Sequence, residues 1–347
     1  FLADDQKAEE RIRARPILAI FQSMGESIPD KTPIAGEEAL MKRVKSLRQW
    51  TGISNMDHFW EEVREWFPNI ESKKPPTFSA RESLLMFLMA LRKGFNFSQL
   101  KLLTGLSRTQ TTRIFKKVLK VLLAWSVQKL TFPALDEWRA RQSDLFRRLY
   151  DQNTYMFFVD GTVLPCLKSS IPALNRAHRN FKHQFTGKNF TIVITQDGGI
   201  VCASNTTPGK THDRVAWNES NIPGKLSQVY GDVVKSIENG ELSKNIRLAI
   251  GGDKGYPGIV IPRGWTLHIT GKVTRVNWTD HKNAHYDPNL FYCPKEDKIV
   301  FDNRLAEFRS EVERTFGDLK QYELLVNPTF VWDHYEELDD CIQVVCA

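Results

Sequence analysis

The sequence predicts an all-helical domain followed by an α/β domain whose mixed sheet is flanked by helices. Two observations lead to this fold class. Apolar residues recur at helical spacing through much of the first 150 residues, whereas short unbroken apolar runs, typical of strands covered on both faces, alternate with helical segments after residue 151. The predicted divisions are a flexible lead-in over 1–36, a helical domain over 37–150 and the α/β domain over 151–347.

Composition limits the classes of protein to which the chain can belong. Its 347 residues are 41% hydrophobic and 26% charged, which is enough to bury a sizeable core. No apolar stretch approaches the length of a membrane span and no signal peptide is visible, so we expect a soluble intracellular protein. The five cysteines are scattered without CxxC spacing and are expected to be reduced thiols. The chain starts without methionine and stops inside an apolar pattern, which suggests a fragment.

Charge favours a polyanionic partner. The net charge is +7. The segment from Arg81 to Lys129 contains ten basic residues and one acidic residue, Glu82. A second stretch, Gly161 to Gln196, holds basic residues and no acid. Such runs usually form a solvated surface. Two of them beside a candidate carboxylate site make nucleic acid the better hypothesis.

The helical domain carries a candidate helix-turn-helix over residues 79–123. Ser79 is expected to cap a helix over Ala80 to Lys93, Ser98 a short helix that Gly105 ends, and Ser107 the longer helix after it. A short helix, a tight glycine turn and a second helix are the signature of this motif. The alternative is a three-helix module that serves packing alone.

In the helix-turn-helix docking mode, the start of the second helix enters the major groove and its later basic residues meet phosphates. The residues expected to face DNA bases are Arg108, Thr109, Gln110 and Arg113, and those expected to face phosphates are Lys116, Lys117 and Lys120.

Two aspartates follow apolar strands of the α/β domain. Asp160 comes after Tyr155 to Val159, with Gly161 expected to turn the backbone away, and Asp253 comes after Ile246 to Ile250. Catalytic groups collect where strands end in such sheets. Asp-Gly after a strand is also a common turn, so each aspartate taken singly has a structural explanation.

A third acid, Glu313, lies on a predicted helix whose core face is formed by Leu305, Phe308, Val312, Phe316 and Leu319. It stands at the border of that face, and pairing with Arg309 at i,i+4 would also explain it. Three acids so far apart in sequence can meet only through the fold. Three carboxylates without a cysteine or histidine cluster favour Mg²⁺ or Mn²⁺ over zinc.

Four ordered segments carry a family resemblance: FFVDGT, PGKTHDRVAWNES, GGDKGYPG and FRSEVERTFGDLK. Together they resemble the DDE transposase domain of the PIF/Harbinger superfamily, over roughly residues 79 to 347. The resemblance implies an RNase H-like catalytic domain, which also has the β-β-β-α-β-α order predicted here. It implies that Asp160, Asp253 and Glu313 are the catalytic triad.

The resemblance further implies two divalent ions, with Asp160 bridging both and Asp253 and Glu313 each holding one. Such a centre cuts a transposon end and joins the freed 3′-OH to target DNA. Asp213 has two explanations. It is either an auxiliary ligand of this centre or an acid that is stabilised at the start of its helix by the positive end of the helix dipole. The basic residues expected to neutralise DNA phosphates near the site are Lys182, Lys188, Lys254, Arg314 and Lys320.

Partners and location follow from the same family. Its members act on double-stranded DNA and commonly work with a Myb-like DNA-binding protein. We therefore expect double-stranded DNA as the substrate and a possible dependence on such a partner. We also expect a homo-oligomer and a nuclear location. One alternative is a domesticated relative that binds DNA or protein without cutting. Another, an RNase H-like nuclease unrelated to transposition, is disfavoured by the basic helix-turn-helix.

Overall fold

A computed structural model describes residues 48–67, 79–142, 146–147, 150, 153–168, 171–180, 184–253, 255–269, 310–326 and 335–347. The predicted lead-in over 1–36 lies outside these ranges. The described residues form two compact units. The helical unit comprises those up to Ser126 with Lys320–Val344, and the sheet unit comprises Val127–Leu319 with Val345–Ala347. The predicted domain boundary at residue 150 stays a prediction.

The helical unit begins with helices packed around α2. In chain order they are α1 (Met56–Val63), α2 (Ala80–Lys93), α3 (Phe97–Thr104) and α4 (Arg108–Lys129), the last of which continues into the sheet unit. Residues 84–91 of α2 are all buried, so this helix is the centre of the core. Ser79 and Glu82 exchange the two hydrogen bonds of a capping box, which confirms the predicted start of α2.

The start of α3 differs from the prediction by two residues. Asn96, not Ser98, caps the helix, and the side chain of Gln99 closes the capping box. An asparagine carbonyl can accept the orphan N–H groups as well as a serine hydroxyl can, and here the earlier residue does so. Gly105 ends α3 in the left-handed conformation, with φ of 68°, as predicted.

The sheet unit contains one mixed sheet. Its strands are β1 (Thr154–Pro165), β2 (Arg179–Asn180), β3 (Phe185–Ile194), β4 (Ile200–Ala203), β5 (Thr207–Pro208), β6 (Arg247–Gly252) and β7 (Trp265–Ile269). The order is β2-β3-β1-β6-β7, with β4 and β5 both paired to β3. β1 is antiparallel to β3 and parallel to β6, and β6 is parallel to β7. This is the mixed sheet that the sequence predicts.

Helices flank this sheet. They are α5 (Leu135–Arg141), α6 (Pro172–His178), α7 (Asp213–Glu219), α8 (Ile222–Glu238) and α9, whose described part is residues 310–319. Two further helices belong to the helical unit: α10 (Glu323–Val326) and α11 (Tyr335–Cys346), of which residues 335–344 lie in that unit. Among the described residues, no helix has the length and apolar character needed to cross a bilayer.

Alternation along β1 divides the core between the two faces of the sheet. On one face, called the α8 face, Phe157 packs with the α8 residue Tyr230, and Trp138 of α5 stacks on Phe157 with ring centroids 3.8 Å apart. On the other, the α9 face, Phe190 of β3 meets Phe316 of α9 edge to face at 6.1 Å. The strand ends therefore lie between two covered layers.

Candidate catalytic site

Asp160 lies inside β1 rather than at its end. The strand continues to Pro165 with β3 beside it, so the predicted strand end at Asp160 and turn at Gly161 are wrong. The prediction failed because it considered a single strand, whereas the neighbour decides where a strand ends. β6 pairs with β1 only as far as Phe158. Asp160 thus marks the point where β1 leaves the parallel part of the sheet and continues as a ribbon with β3.

Asp253 follows β6 directly, as predicted. The last pair between β1 and β6 joins Phe158 to Gly251, and Asp160 and Asp253 each lie two residues further along. Adjacent strands are about 4.8 Å apart, so the two aspartates lie side by side where β6 ends. A backbone N–H one or two residues further on donates to each carboxylate, at 2.8 Å for Asp160 and 2.6 Å for Asp253. Both side chains are therefore oriented locally.

Asp213 approaches the same edge from the first residue of α7. A Cβ built on Gly161 would lie 3.1 Å from Asp213 Oδ1, and one built on Gly255 would lie 2.7 Å from Asp213 Oδ2 and 2.9 Å from Asp253 Oδ1. The carboxylate of Asp213 therefore lies close both to Gly161 in β1 and to Gly255 in the loop after β6. Asn189 Nδ2 donates to Asp213 Oδ1 at 3.4 Å. His212, the preceding residue, caps α7 with its ring nitrogen.

Tyr256 is a site residue that the sequence reasoning missed. Burial raises the pKa of its phenol well above the ordinary value, and the charges of Asp160, Asp213 and Asp253 raise this pKa further, while the Thr191 hydroxyl lowers it. The phenol thus stays protonated, and all three carboxylates lie within electrostatic reach of one buried oxygen. The only sequence signal was a tyrosine three residues after Asp253 in GGDKGYPG.

The α9 helix lies on the face of the sheet that carries Asp160. Asp160 pairs with Ile192, and Phe190, two residues away on β3, points to the same face and contacts Phe316 of α9. On its flank, α9 touches the turn after β3, where Thr315 Oγ1 donates to the Gly198 carbonyl at 3.4 Å. These contacts hold α9 against the strands that lead to the aspartates.

Glu313 is an exposed residue on the other flank of α9. It lies two positions from both Glu311 and Thr315, which is about 200° round the helix from the side that touches Gly198. Across the residues for which positions are described, no three acidic, histidine or cysteine side chains are close enough to hold a metal ion. The structure brings Asp160, Asp213 and Asp253 to one edge, whereas the assignment of Glu313 to the site stays a prediction.

A family model described as DDE superfamily endonuclease matches residues 159–347, more than half of the chain. The chain belongs to the DDE superfamily endonucleases. Comparison with curated proteins and with solved structures gave no match. The matched range begins at the residue before Asp160 and includes all four candidate acids. Membership supports a nuclease that acts on DNA with divalent metal ions, as endonucleases of this superfamily generally do.

The donor chemistry of this endonuclease fits such ions. The side chains gathered at the edge offer carboxylate oxygens, which hard divalent cations prefer. Mg²⁺ usually takes only one or two carboxylates and completes its shell with water and substrate phosphate. Asp160 and Asp253 are the residues that would hold such an ion, and Asp213 borders them. The absence of a three-ligand cage among the described residues is compatible with this mode of binding.

The basic residues predicted near the acids occupy different environments. Lys182 and Lys254 lie outside the described residues. Lys188 is only 8% exposed, and its ammonium donates to Thr206 Oγ1 at 3.2 Å, so little of this side chain is open to a phosphate. Arg314 is exposed but forms an ion pair with Glu311 on the same helix. Lys320 is exposed at the end of α9.

The predicted base-reading residues lie at the start of α4, after the turn at Gly105. Arg108, Thr109, Arg113 and Lys117 are exposed there. Two others are engaged within the helical unit. Gln110 accepts from the Ser107 backbone at 2.9 Å, completing the cap of α4, and Lys116 forms an ion pair with Glu337 at 2.6 Å. The short helix, the turn at Gly105 and the longer helix are present as predicted, while the helix-turn-helix assignment and its role in DNA binding stay predictions.

Proposed function

We propose that this endonuclease is a transposase of the PIF/Harbinger type, which cuts double-stranded DNA at transposon ends and joins the freed 3′-OH to target DNA. The observation that carries the proposal is the pair Asp160 and Asp253, side by side at the edge of the sheet within the matched family range. The four ordered motifs that resemble PIF/Harbinger transposases support the choice within the superfamily.

In this proposal, Asp160, Asp253 and Glu313 hold the divalent ions, and Asp213 supports them from the start of α7. When bound, Mg²⁺ or Mn²⁺ would activate the attacking water or 3′-hydroxyl and stabilise the leaving oxygen of the phosphodiester. The N–H groups that donate to Asp160 and Asp253 keep those carboxylates oriented before substrate arrives. Tyr256, a buried member of the aromatic core whose phenol stays protonated, lies within electrostatic reach of Asp160, Asp213 and Asp253.

DNA binding is assigned to the helix-turn-helix and to cations near the acids. Arg108, Thr109 and Arg113 would contact bases, and Lys117 a phosphate, because all four are exposed at the start of α4. Gln110 and Lys116 would have to give up existing contacts to take part. Further proposals are action as a homo-oligomer, cooperation with a Myb-like DNA-binding protein and residence in the nucleus. They rest on the family resemblance.

The test is the variant Asp160→Ala assayed on DNA that carries the element's inverted terminal repeats. We expect Mg²⁺-dependent cleavage to be lost while binding to the same DNA is kept, because the variant removes a metal-holding carboxylate and leaves the DNA-binding helices intact. Asp232→Ala, which removes an exposed carboxylate from α8, is the matched control and should cleave normally. Undiminished cleavage by Asp160→Ala would remove this residue from the mechanism.

A second candidate function is a domesticated relative that binds DNA or protein without cutting. The observation in its favour is that no three potential metal ligands gather within the described part of the chain. The same assay separates the two functions. Binding of DNA by the unaltered protein, with no cleavage in either Mg²⁺ or Mn²⁺, would support the binding protein over the nuclease.

A further inference from the structure

An exposed apolar segment follows β1 just beyond Asp160. It consists of the described residues 166–168 and 171–180, including α6, and is called the α6 arm. Leu167, Ile171 and Leu174 are 50%, 53% and 37% exposed, and α6 contains no buried residue. Single exposed apolar residues are common on protein surfaces, but three within eight positions form a patch. The arm therefore presents three apolar side chains that are between about a third and a half exposed to solvent.

Positive charge surrounds this patch. Lys168 and Arg176 are exposed within the arm, and Arg179 directly follows α6. From Gly161 to Gln196 the sequence contains no aspartate or glutamate. Apolar side chains among cations, without acids, suit a polyanion that also offers apolar surface. Nucleic acid meets both requirements through its phosphates and its stacked bases.

The base of the arm is held firmly against the loop that leads to Asp213. Asn180 Nδ2 donates to the Gly209 carbonyl at 2.9 Å, and the Lys210 N–H donates to the Ala177 carbonyl at 3.3 Å. A Cβ on Gly209 would lie 2.5 Å from the Gly187 carbonyl and 2.8 Å from that of His178, so three backbone segments meet without room for a side chain. The arm is thus anchored to the same loop as one of the three aspartates.

The ribbon of β1 and β3 sets the distance of the arm from the acids. β1 runs five residues past Asp160 to Pro165, which pairs with Gly187 at the root of the arm. Five extended residues span about 17 Å. This length corresponds to about five base pairs along a B-form duplex. DNA bound at the aspartates and lying along the ribbon would reach the arm a few base pairs from the scissile phosphate.

We propose that the α6 arm is a DNA wedge, in which Ile171 and Leu174 insert at unstacked bases while Lys168 and Arg176 contact the flanking phosphates. Apolar wedges of this kind unstack a base step and deform the duplex. The inference rests on the proposed function only in that DNA is the substrate. The proposed ligand of the arm is DNA that is distorted near the cleavage site. The main alternative is that the patch binds a second copy of the chain.

The test compares an intact fluorescein-labelled duplex of about three helical turns with the same duplex carrying a short central mismatch bubble. Binding by the full chain is measured by anisotropy without divalent cations, so that cleavage plays no part. We expect the unaltered protein to bind the bubble about tenfold more tightly than the duplex. Ile171→Ser/Leu174→Ser should keep its affinity for the duplex and lose most of the preference for the bubble.

The matched control is Val229→Ser/Val260→Ser, which removes two exposed valines, 47% and 57% exposed, elsewhere in the sheet unit. It should keep the bubble preference. Retention of the preference in Ile171→Ser/Leu174→Ser would overturn the wedge and leave the proposed nuclease standing. So would dissociation of an oligomer by this variant in sedimentation, which would assign the patch to a second copy of the chain. If the unaltered protein binds neither DNA, the wedge fails, whereas the proposed nuclease is judged by the cleavage assay of Asp160→Ala.

Discussion

Gly255 is required by the closeness of two carboxylates. A Cβ at this position would lie under 3.0 Å from oxygens of both Asp213 and Asp253, a distance at which one of them must move. A Cβ built on Gly161, the residue after Asp160 in β1, would lie just beyond 3.0 Å from Asp213 Oδ1 and Asn189 Oδ1. Both glycines therefore allow acids from separate elements to approach the same edge. Residue size here controls the geometry of the candidate site more than the stability of the fold.

The variant Gly255→Ala should lower metal-dependent cleavage by about tenfold or more, which corresponds to about 1.4 kcal/mol of activation free energy. The reason is that the methyl group displaces the carboxylates of Asp213 and Asp253. Because the displaced atoms are the ends of side chains, the thermal unfolding midpoint should change little. Cleavage rate and calorimetric melting measure the two effects.

Gly224→Ala is the control for that prediction. Gly224 lies in α8 and has nothing within 4 Å of a built Cβ, so alanine should keep activity and raise stability by up to about 1 kcal/mol. Equal activity of Gly255→Ala and Gly224→Ala would contradict the role given to Gly255.

At the scale of elements, β1 joins the aromatic core to the candidate site. Its first half alternates between the two covered faces, with Phe157 stacked on Trp138, and its second half leaves β6 and pairs with β3 alone. Asp160 stands at the change between these two environments. A buried, well-packed first half keeps this residue in place, because any movement of the strand would disturb the aromatic core.

β7 contributes a pH dependence to the stability of this sheet. His268 is buried there, and burial, helped by the charge of Arg247, lowers its pKa from 6.5 to about 4. The unfolded chain therefore binds a proton at higher pH than the native protein does. The contribution is fully present above pH 6.5 and is lost as the pH falls from 6.5 to about 4.

We therefore expect the free energy of unfolding to fall by about 3 kcal/mol more in the unaltered protein than in His268→Leu over this pH range. Urea titrations at several pH values measure the difference. His58→Asn, which changes an exposed histidine in α1, should leave the pH dependence unaltered. Parallel curves for the unaltered protein and His268→Leu would show that His268 is not the group responsible.

At the scale of the whole molecule, charge is distributed unevenly along the chain. The helical segment from Arg81 to Lys129 carries more net positive charge than the complete sequence. Non-specific DNA affinity depends on such cations through counterion release, and each phosphate contact adds to the salt dependence. The exposed cations at the start of α4 are thus expected to contribute to binding rather than to cleavage chemistry.

The double variant Arg108→Gln/Arg113→Gln should weaken duplex binding and lower the slope of log affinity against log salt by about 2, because two cations are removed. Anisotropy titrations over a range of salt concentrations measure this slope. The control Lys235→Gln/Lys244→Gln removes two exposed lysines outside the helix-turn-helix and should leave the slope nearly unchanged. An equal effect of both variants would mean that only total charge matters.

Much of the secondary structure was predictable because its signals are local. The capping box of Ser79 and Glu82, the glycine that ends α3 and the apolar runs of β1 and β6 each depend on residues close in sequence. The DDE superfamily was recognisable for a similar reason, since the four motifs that carry the resemblance are short and ordered. One local prediction was still wrong. Asn96 and Ser98 can both cap a helix and lie two residues apart, and the structure uses Asn96.

The sequence by itself determined the type and order of the elements, the positive charge of the helical segment and the candidate acids, because propensity, capping and composition act over a few residues. Only the tertiary structure decided that β1 continues past Asp160, that its register with β6 sets Asp160 beside Asp253, and that Asp213 and Tyr256 join them. These features depend on strand pairing and packing between distant segments, for which one sequence carries no local signal.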